Sequence, residues 1–241
     1  MRAPMLTRLL RRMLPALAWI GLCGAPSAAA QPSPAAFVDG IVAVLGNSIK
    51  AAEAALGGDG ALPAAAAIIE RDVAPHMDFG VITREAAAGA WEAASAAQKA
   101  ALVREFRALL VHVLARLLVT NRGDTLNVLT APAAANAREA AVRVAVTRPR
   151  SAGQAPEPML VTVRRSGDAW KIRELRTDGV DVVRLYSANF AVVIERQGGI
   201  EGLIRALAER NARNAQAAVA PPPALTPRVL VEDACIGCAS P

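Results

Sequence analysis

Apolar residues between Phe37 and Leu56 fall at Val38, Ile41, Val42, Leu45 and Ile49, the spacing of a helix buried along one stripe. Gly57-Gly58-Asp59-Gly60 breaks that pattern. A second helix is expected from about Leu62 until Pro75, whose ring cannot continue a helical ladder, and a short third over Phe79 to Gly89. Ser95 and Gln98 then stand in the relation of a capping box, in which each side chain satisfies an orphan backbone donor of the other. Behind them Leu102, Phe106, Leu109, Val113 and Leu117 recur every three or four residues, widened by Val103, Leu110, Leu114 and Leu118. Gln98, Glu105, His112 and Arg116 take the other face, so a long amphipathic helix is predicted.

After Gly123 the period shortens to two. Val142, Val144 and Val146 alternate with Arg143, Ala145 and Thr147; Met159, Val161 and Val163 repeat the pattern; Trp170 and Ile172 do so against Lys171 and Arg173. Ser166-Gly167-Asp168 supplies a tight turn between the last two of these strands, and the Pro-, Gly- and Ser-rich Arg148 to Pro158 a looser loop between the first two. One face buried and the other wet is the pattern of an antiparallel sheet packed on helices. The helical period returns at Val183, Tyr186, Phe190 and Ile194, and again after Gly198-Gly199 at Ile200, Leu203, Ile204 and Leu207. The expected fold is therefore α+β: N-terminal helices, a curved antiparallel sheet, and C-terminal helices folded back over it.

Composition sharpens this picture. Apolar residues make up 54% of the 241 positions but aromatics only 3%, so the interior must be aliphatic and smooth-walled. The N-terminus reads as an export leader over residues 1–30, with Arg2, Arg8, Arg11 and Arg12 before an apolar stretch from Met13 to Leu22 and a small-residue site at Ala28-Ala29-Ala30. That stretch is shorter than the roughly 20 residues a spanning helix needs. Arg11-Arg12 leaves general and twin-arginine export both open, whereas Leu22 before Cys23 is too bulky for a lipoprotein cleavage site. The four leader arginines also account for most of the formal +6 charge; without them 23 basic residues face 21 acidic ones. Those that remain are spread over strands and helix faces with no interleaved aromatics, which argues against nucleic-acid binding.

Few residues suggest catalysis. His76 and His112 are the only histidines, and His112 is expected on the solvated face of the long helix. With no cysteine or acidic cluster nearby, neither predicts a metal site. Asp124, Asp168 and Asp178 sit in turn-like settings where capping the backbone is their usual task. From Ala217 the chain becomes Ala- and Pro-rich, a disordered tail over residues 217–241 that carries Cys235-Ile-Gly-Cys238. A small disulfide loop is the favoured reading of that pair, with metal capture or a mixed disulfide as alternatives.

The stretch Val73-Ala-Pro75-His-Met-Asp78-Phe79, then Gly89-Ala-Trp91, then Ala94 to Gln98 with Phe106, Leu109 and Leu110, resembles the first half of the MlaC-type periplasmic phospholipid-binding proteins, the toluene-tolerance auxiliary family. Trp170-Lys171-Ile172, Asp178-Gly179-Val180, Tyr186 to Phe190 and Gly199-Ile-Glu-Gly202-Leu203-Ile204 are similar to the second half, in the same order. The resemblance spans roughly Phe37 to Asn214 and leaves out only the leader and the tail. It implies a cone related to nuclear-transport-factor-like folds, placed in the periplasm, without catalytic residues and without a cofactor beyond lipid cargo. Its implied partners are an outer-membrane lipoprotein complex and an inner-membrane ABC transporter with a lipid-binding ring. The chain has fewer tyrosines than the family, so phospholipid and a rigid polycyclic lipid such as a hopanoid both remain open as cargo. An enzyme acting on a small hydrophobic substrate, or an envelope scaffold with a filled core, are the readings from other classes.

Physics supports a carrier independently of the resemblance. Each buried methylene is worth about 0.8 kcal/mol, so two chains of about 16 carbons gain roughly 20 kcal/mol or more on leaving water. A dry hollow between the valine face of the sheet and the long helix would replace the membrane. Its expected lining is Leu109, Val113, Leu117, Val144, Val146, Val161, Val163, Trp170, Ile172 and Phe190. Arg143, Lys171 and Arg173, outward on strands, are candidates for meeting partners, with solvated surface the favoured reading of each.

Overall fold

The structure, a computed structural model, describes residues 32–136, 138–148, 157–177 and 180–217. The leader, the tail with Cys235 and Cys238, most of the loop after Arg148, and the pair Asp178-Gly179 lie outside the described residues.

Helix α1 (Pro34–Ala51) starts where Ser33 accepts a hydrogen bond from the Ala36 N–H at 3.1 Å. It stops at Ala52, and the remainder of the expected first helix is the short α2 (Glu53–Leu56). Helix α3 (Ala61–Asp72) ends three residues before Pro75, which sits instead in a 3₁₀ turn over Ala74–His76. Asp78 caps α4 (Phe79–Ala87) by accepting from the Val81 N–H at 3.1 Å. After α5 (Gly89–Ala93), the long helix α6 (Ala96–Thr120) opens on the expected capping box: Ser95 Oγ accepts from Gln98 N at 3.2 Å, and Gln98 Oε1 from Ser95 N at 2.9 Å.

Five antiparallel strands follow in the spatial order of the chain: β1 (Thr125–Ala135), β2 (Glu139–Thr147), β3 (Glu157–Ser166), β4 (Ala169–Thr177) and the two-residue β5 (Val180–Asp181). Gly167, at φ +59°, opens the two-residue turn between β3 and β4. Strand β1 was not expected from the alternation. It is an edge strand whose register shifts on both sides of Pro132, the kind of place where a residue without an N–H is tolerated in a sheet. Helices α7 (Val182–Arg196), capped by Asp181, and α8 (Ile200–Ala217) close the α+β fold.

The alternation holds in β2, where Ala140, Val142, Val144 and Val146 are buried and their neighbours are more open. Register pairs Val142 with Val161, and Val163 with both Ala140 and Ile172, so one sheet face is a continuous aliphatic layer. Helix α6 lies between α3 and α8, α1 packs on β1, and α4 packs on α7. Phe106, Tyr186 and Phe190 meet edge to face or tilted, with ring centroids 4.8–6.0 Å apart, and fill the junction of α6 and α7. Among the described residues no helix is long and apolar enough to cross a membrane.

Candidate functional site

The sheet and its helical cover do not touch everywhere. A hollow of about 270 Å³ remains between them. The C-terminal half of α6 supplies one wall through Val113, Leu114 and Leu117, and α1 another through Val42, Leu45 and Ile49. The sheet contributes Leu126, Val146, Met159 and Leu175, and α7 contributes Val182 and Leu185. Most of these aliphatic side chains are only half-buried although they point inward, as expected where no atoms stand opposite them.

The residues expected to line a cavity divide into two groups. Val113, Leu117, Val146 and Ile172 stand on the wall of the hollow. Leu109, Val144, Val161, Val163, Trp170 and Phe190 are buried in the packed core beside it. Trp170 is fixed there from outside, its indole N–H donating to the Pro32 carbonyl at 3.0 Å while the Arg165 guanidinium lies 4.5 Å over the ring. The stripe on α1 was legible as a helix face, but periodicity does not say whether a stripe meets a sheet or a void. Leu126 belongs to the strand that alternation missed.

Polar residues gather at one part of the wall. Asn121, Arg122 and Asp124 lie in the turn from α6 into β1, Arg148 just follows β2, and Glu174 and Thr177 are on β4. The register Thr125–Thr147 makes Asp124 and Arg148 neighbours at the same end of the sheet, and Arg148 Nε stands 3.5 Å from Asp124 Oδ2. Strand β4 carries one extra residue, Arg173, between the pairs Thr162–Glu174 and Val163–Ile172. That irregularity corrects the expectation that Arg173 is solvated surface. Its guanidinium is largely buried between Glu85 at 2.6 Å and Glu139 at 2.8 Å, and it also borders the hollow. Arg143 is exposed, and Lys171 donates to the Pro75 carbonyl at 2.6 Å.

Glu174 is the unusual ionisable group of the wall. Its Oε1 is shielded from solvent with no hydrogen-bond partner among the described residues. Burial, reinforced by the neighbouring Asp181 carboxylate, pushes its pKa up to about 7. For Asp181 burial acts upward too, but the hydrogen bonds from Glu174, the Arg184 N–H and Arg176 outweigh it and hold its pKa below the usual range.

Neither histidine borders the hollow. His112 is not the solvated residue expected: it is half-buried, and burial followed by the nearby Arg116 and Arg210 charges lowers its pKa to about 4. His76 packs edge-on against Phe37 at 5.6 Å, and burial and Lys171 lower its pKa. No group of three or more His, Cys, Asp or Glu residues is placed to hold a metal ion among the described residues.

Comparison with known proteins fits this geometry. Residues 47–209, well over half of the chain, match the family described as MlaC protein. Among solved structures, a phospholipid-binding protein from Ralstonia solanacearum, in complex with a phospholipid, superposes with a TM-score of 0.66 at 28% identity, covering 76% of this chain and 99% of that one. No curated protein gave a significant match.

Proposed function

Because the chain belongs to the MlaC protein family, we propose that it is a lipid-binding carrier which shields the acyl chains of a phospholipid in the hollow bounded by α1, α6, α7 and the sheet. The observation that carries this reading is the asymmetry of the wall: aliphatic side chains surround the hollow, and most of its polar groups meet at one end of the sheet. A hydrocarbon chain lies against the first and an amphiphile's polar end against the second. The bound phospholipid of the similar Ralstonia protein supports the same assignment.

At about 270 Å³ the hollow is below the roughly 300–1,000 Å³ of ordinary ligand sites, and two acyl chains need more. Loading therefore spreads α1 from the C-terminal half of α6, whose half-buried side chains have room to repack. The roughly 20 kcal/mol or more that hydrocarbon gains on leaving water is available to offset that rearrangement. Release takes place where another apolar surface replaces the wall, so the carrier docks on membrane complexes.

In this reading the leader over residues 1–30 is removed on export and the chain works in the periplasm. It shuttles phospholipid between an outer-membrane lipoprotein complex and an inner-membrane ABC transporter with a lipid-binding ring. It acts by binding rather than by catalysis, and the segment beyond residue 217 is a tail outside the lipid-binding domain. Organic extraction of the protein purified from its native envelope, followed by mass spectrometry, tests the central claim. About one phospholipid per chain is expected. A hopanoid in its place would change the cargo, and protein that carries no lipid and takes none from vesicles would overturn the reading.

A further inference from the structure

An aliphatic wall holds any greasy molecule, so it does not choose among lipids. The choice has to be made at the polar end. Two arginines border it, each held by a contact of its own. Arg122 is exposed, and its Nη1 donates to the Leu56 carbonyl at the end of α2 at 2.9 Å. Gly57 makes room for this: a Cβ at that position would stand 3.3 Å from the same Nη1. Arg148 is partly sheltered beside Asp124.

A guanidinium carries five N–H donors in a planar fork suited to phosphate oxygens, and the Leu56 bond occupies one of the five on Arg122. Two carboxylates, Asp124 and Glu174, border the hollow as well, and both bear on the sign of the local charge. Asp124 is matched by Arg148, and the shielding of Glu174 leaves it only about half ionised at pH 7. Arg173, the third arginine of the wall, is bound by Glu85 and Glu139. The balance at the mouth is therefore positive, through Arg122.

We propose that Arg122 and Arg148 form an anion site at the mouth of the hollow that takes the phosphodiester of the bound lipid, so that the protein selects glycerophospholipids over uncharged lipids with the same acyl chains. This rests on the lipid-binding reading above and adds its selectivity. Phosphate engages the Arg122 fork and competes with Asp124 for Arg148, while the acyl chains run inward past Leu117 and Val146.

The test compares affinities of the mature chain for phosphatidylglycerol and for diacylglycerol with identical acyl chains, by native mass spectrometry. Arg122→Gln, Arg148→Gln and the double substitution are measured beside the parent, with thermal melts to confirm folding. A charge-assisted hydrogen bond to phosphate predicts that the parent prefers the phospholipid by about tenfold or more. The double variant should bring that ratio toward one. Arg122→Gln, at an exposed position, should lower the ratio alone even if Arg148→Gln unfolds. A parent preference that survives Arg122→Gln and the double substitution intact overturns the anion site, as does a parent that binds both lipids equally, although lipid binding itself then stands. A parent that binds neither sinks both proposals. Millimolar inorganic phosphate should leave phospholipid binding within about twofold, since the acyl chains supply most of the affinity. Phosphate that binds without lipid and displaces it would assign the arginines to the free anion instead.

Discussion

Arg173 and Glu174 show how a bulge re-aims charged side chains on a strand. The alternation Trp170, Lys171, Ile172, Arg173 places every second residue in water, and its continuation says nothing of a bulge. The extra residue in β4 breaks that period, and Arg173 and Glu174 both reach the wall of the hollow. The raised pKa has a definite linkage sign. Between the ordinary carboxylate value near 4.5 and about 7, the folded chain holds a proton that the unfolded chain has lost, so this group makes stability fall as pH rises across that window. Asp181, shifted downward, acts oppositely and only below its own ordinary value. Glu174→Gln removes the penalty while keeping a hydrogen-bonding carboxamide beside Asp181. After discounting for the solvent that still reaches the site, the variant should be more stable than the parent by about 1 kcal/mol at pH 8. At pH 4.5 the difference should vanish. Denaturant titrations at both values check this, and an equal gain at each would assign it to packing rather than charge.

At the scale of elements, the strongly periodic segments were legible and the compromised ones were not. The α6 cap could be read from Ser95 and Gln98 because a capping box is a local contract between two side chains and a backbone. Strand β1 could not, because Ala and Pro dilute its alternation and its register with β2 shifts on both sides of Pro132, so the period of two is not kept along it. The junction of α7 and α8 shows a further kind of information, steric rather than periodic. Gly198 and Gly199 turn the chain at φ +80° and +83°, and Gly202 then passes so close to Gln197 that a Cβ would overlap its carbonyl oxygen and stand 2.6 Å from its carbonyl carbon. The obstacle is backbone at the C-terminal end of α7, which has no rotamer to change. Gly202→Ala, normally favourable inside a helix, should here cost about 3 kcal/mol, the upper range for overpacking. In a domain of this size that lowers Tm by about 6–12 °C. A Tm within about 2 °C of the parent would mean that the α7–α8 approach is looser than the structure has it.

Over the whole molecule the α+β layout was legible from the order of periods, and so was the idea that an aliphatic interior faces a long helix. The position of the void was not. Hydrophobic periodicity marks which residues leave water, and it treats a side chain against protein and one against a hollow alike. Leu109, Val144 and Phe190 are in the first state, fully buried in the continuous core, where Phe190 meets the ring of Phe106 edge to face. Leu117 is in the second because α6 extends past those rings toward the open end of the sheet. A pair of tryptophan substitutions separates the two. Val144→Trp forces an indole into a fully buried site and should cost about 3 kcal/mol or more. Leu117→Trp places the ring in existing space, so stability should stay within about 1 kcal/mol of the parent while the lipid recovered per chain falls by about half or more. A folded Leu117→Trp protein with its full complement of lipid would move the ligand out of this hollow. Equal destabilisation by both substitutions would mean that the walls are as tightly filled as the core, leaving hydrocarbon no place to enter.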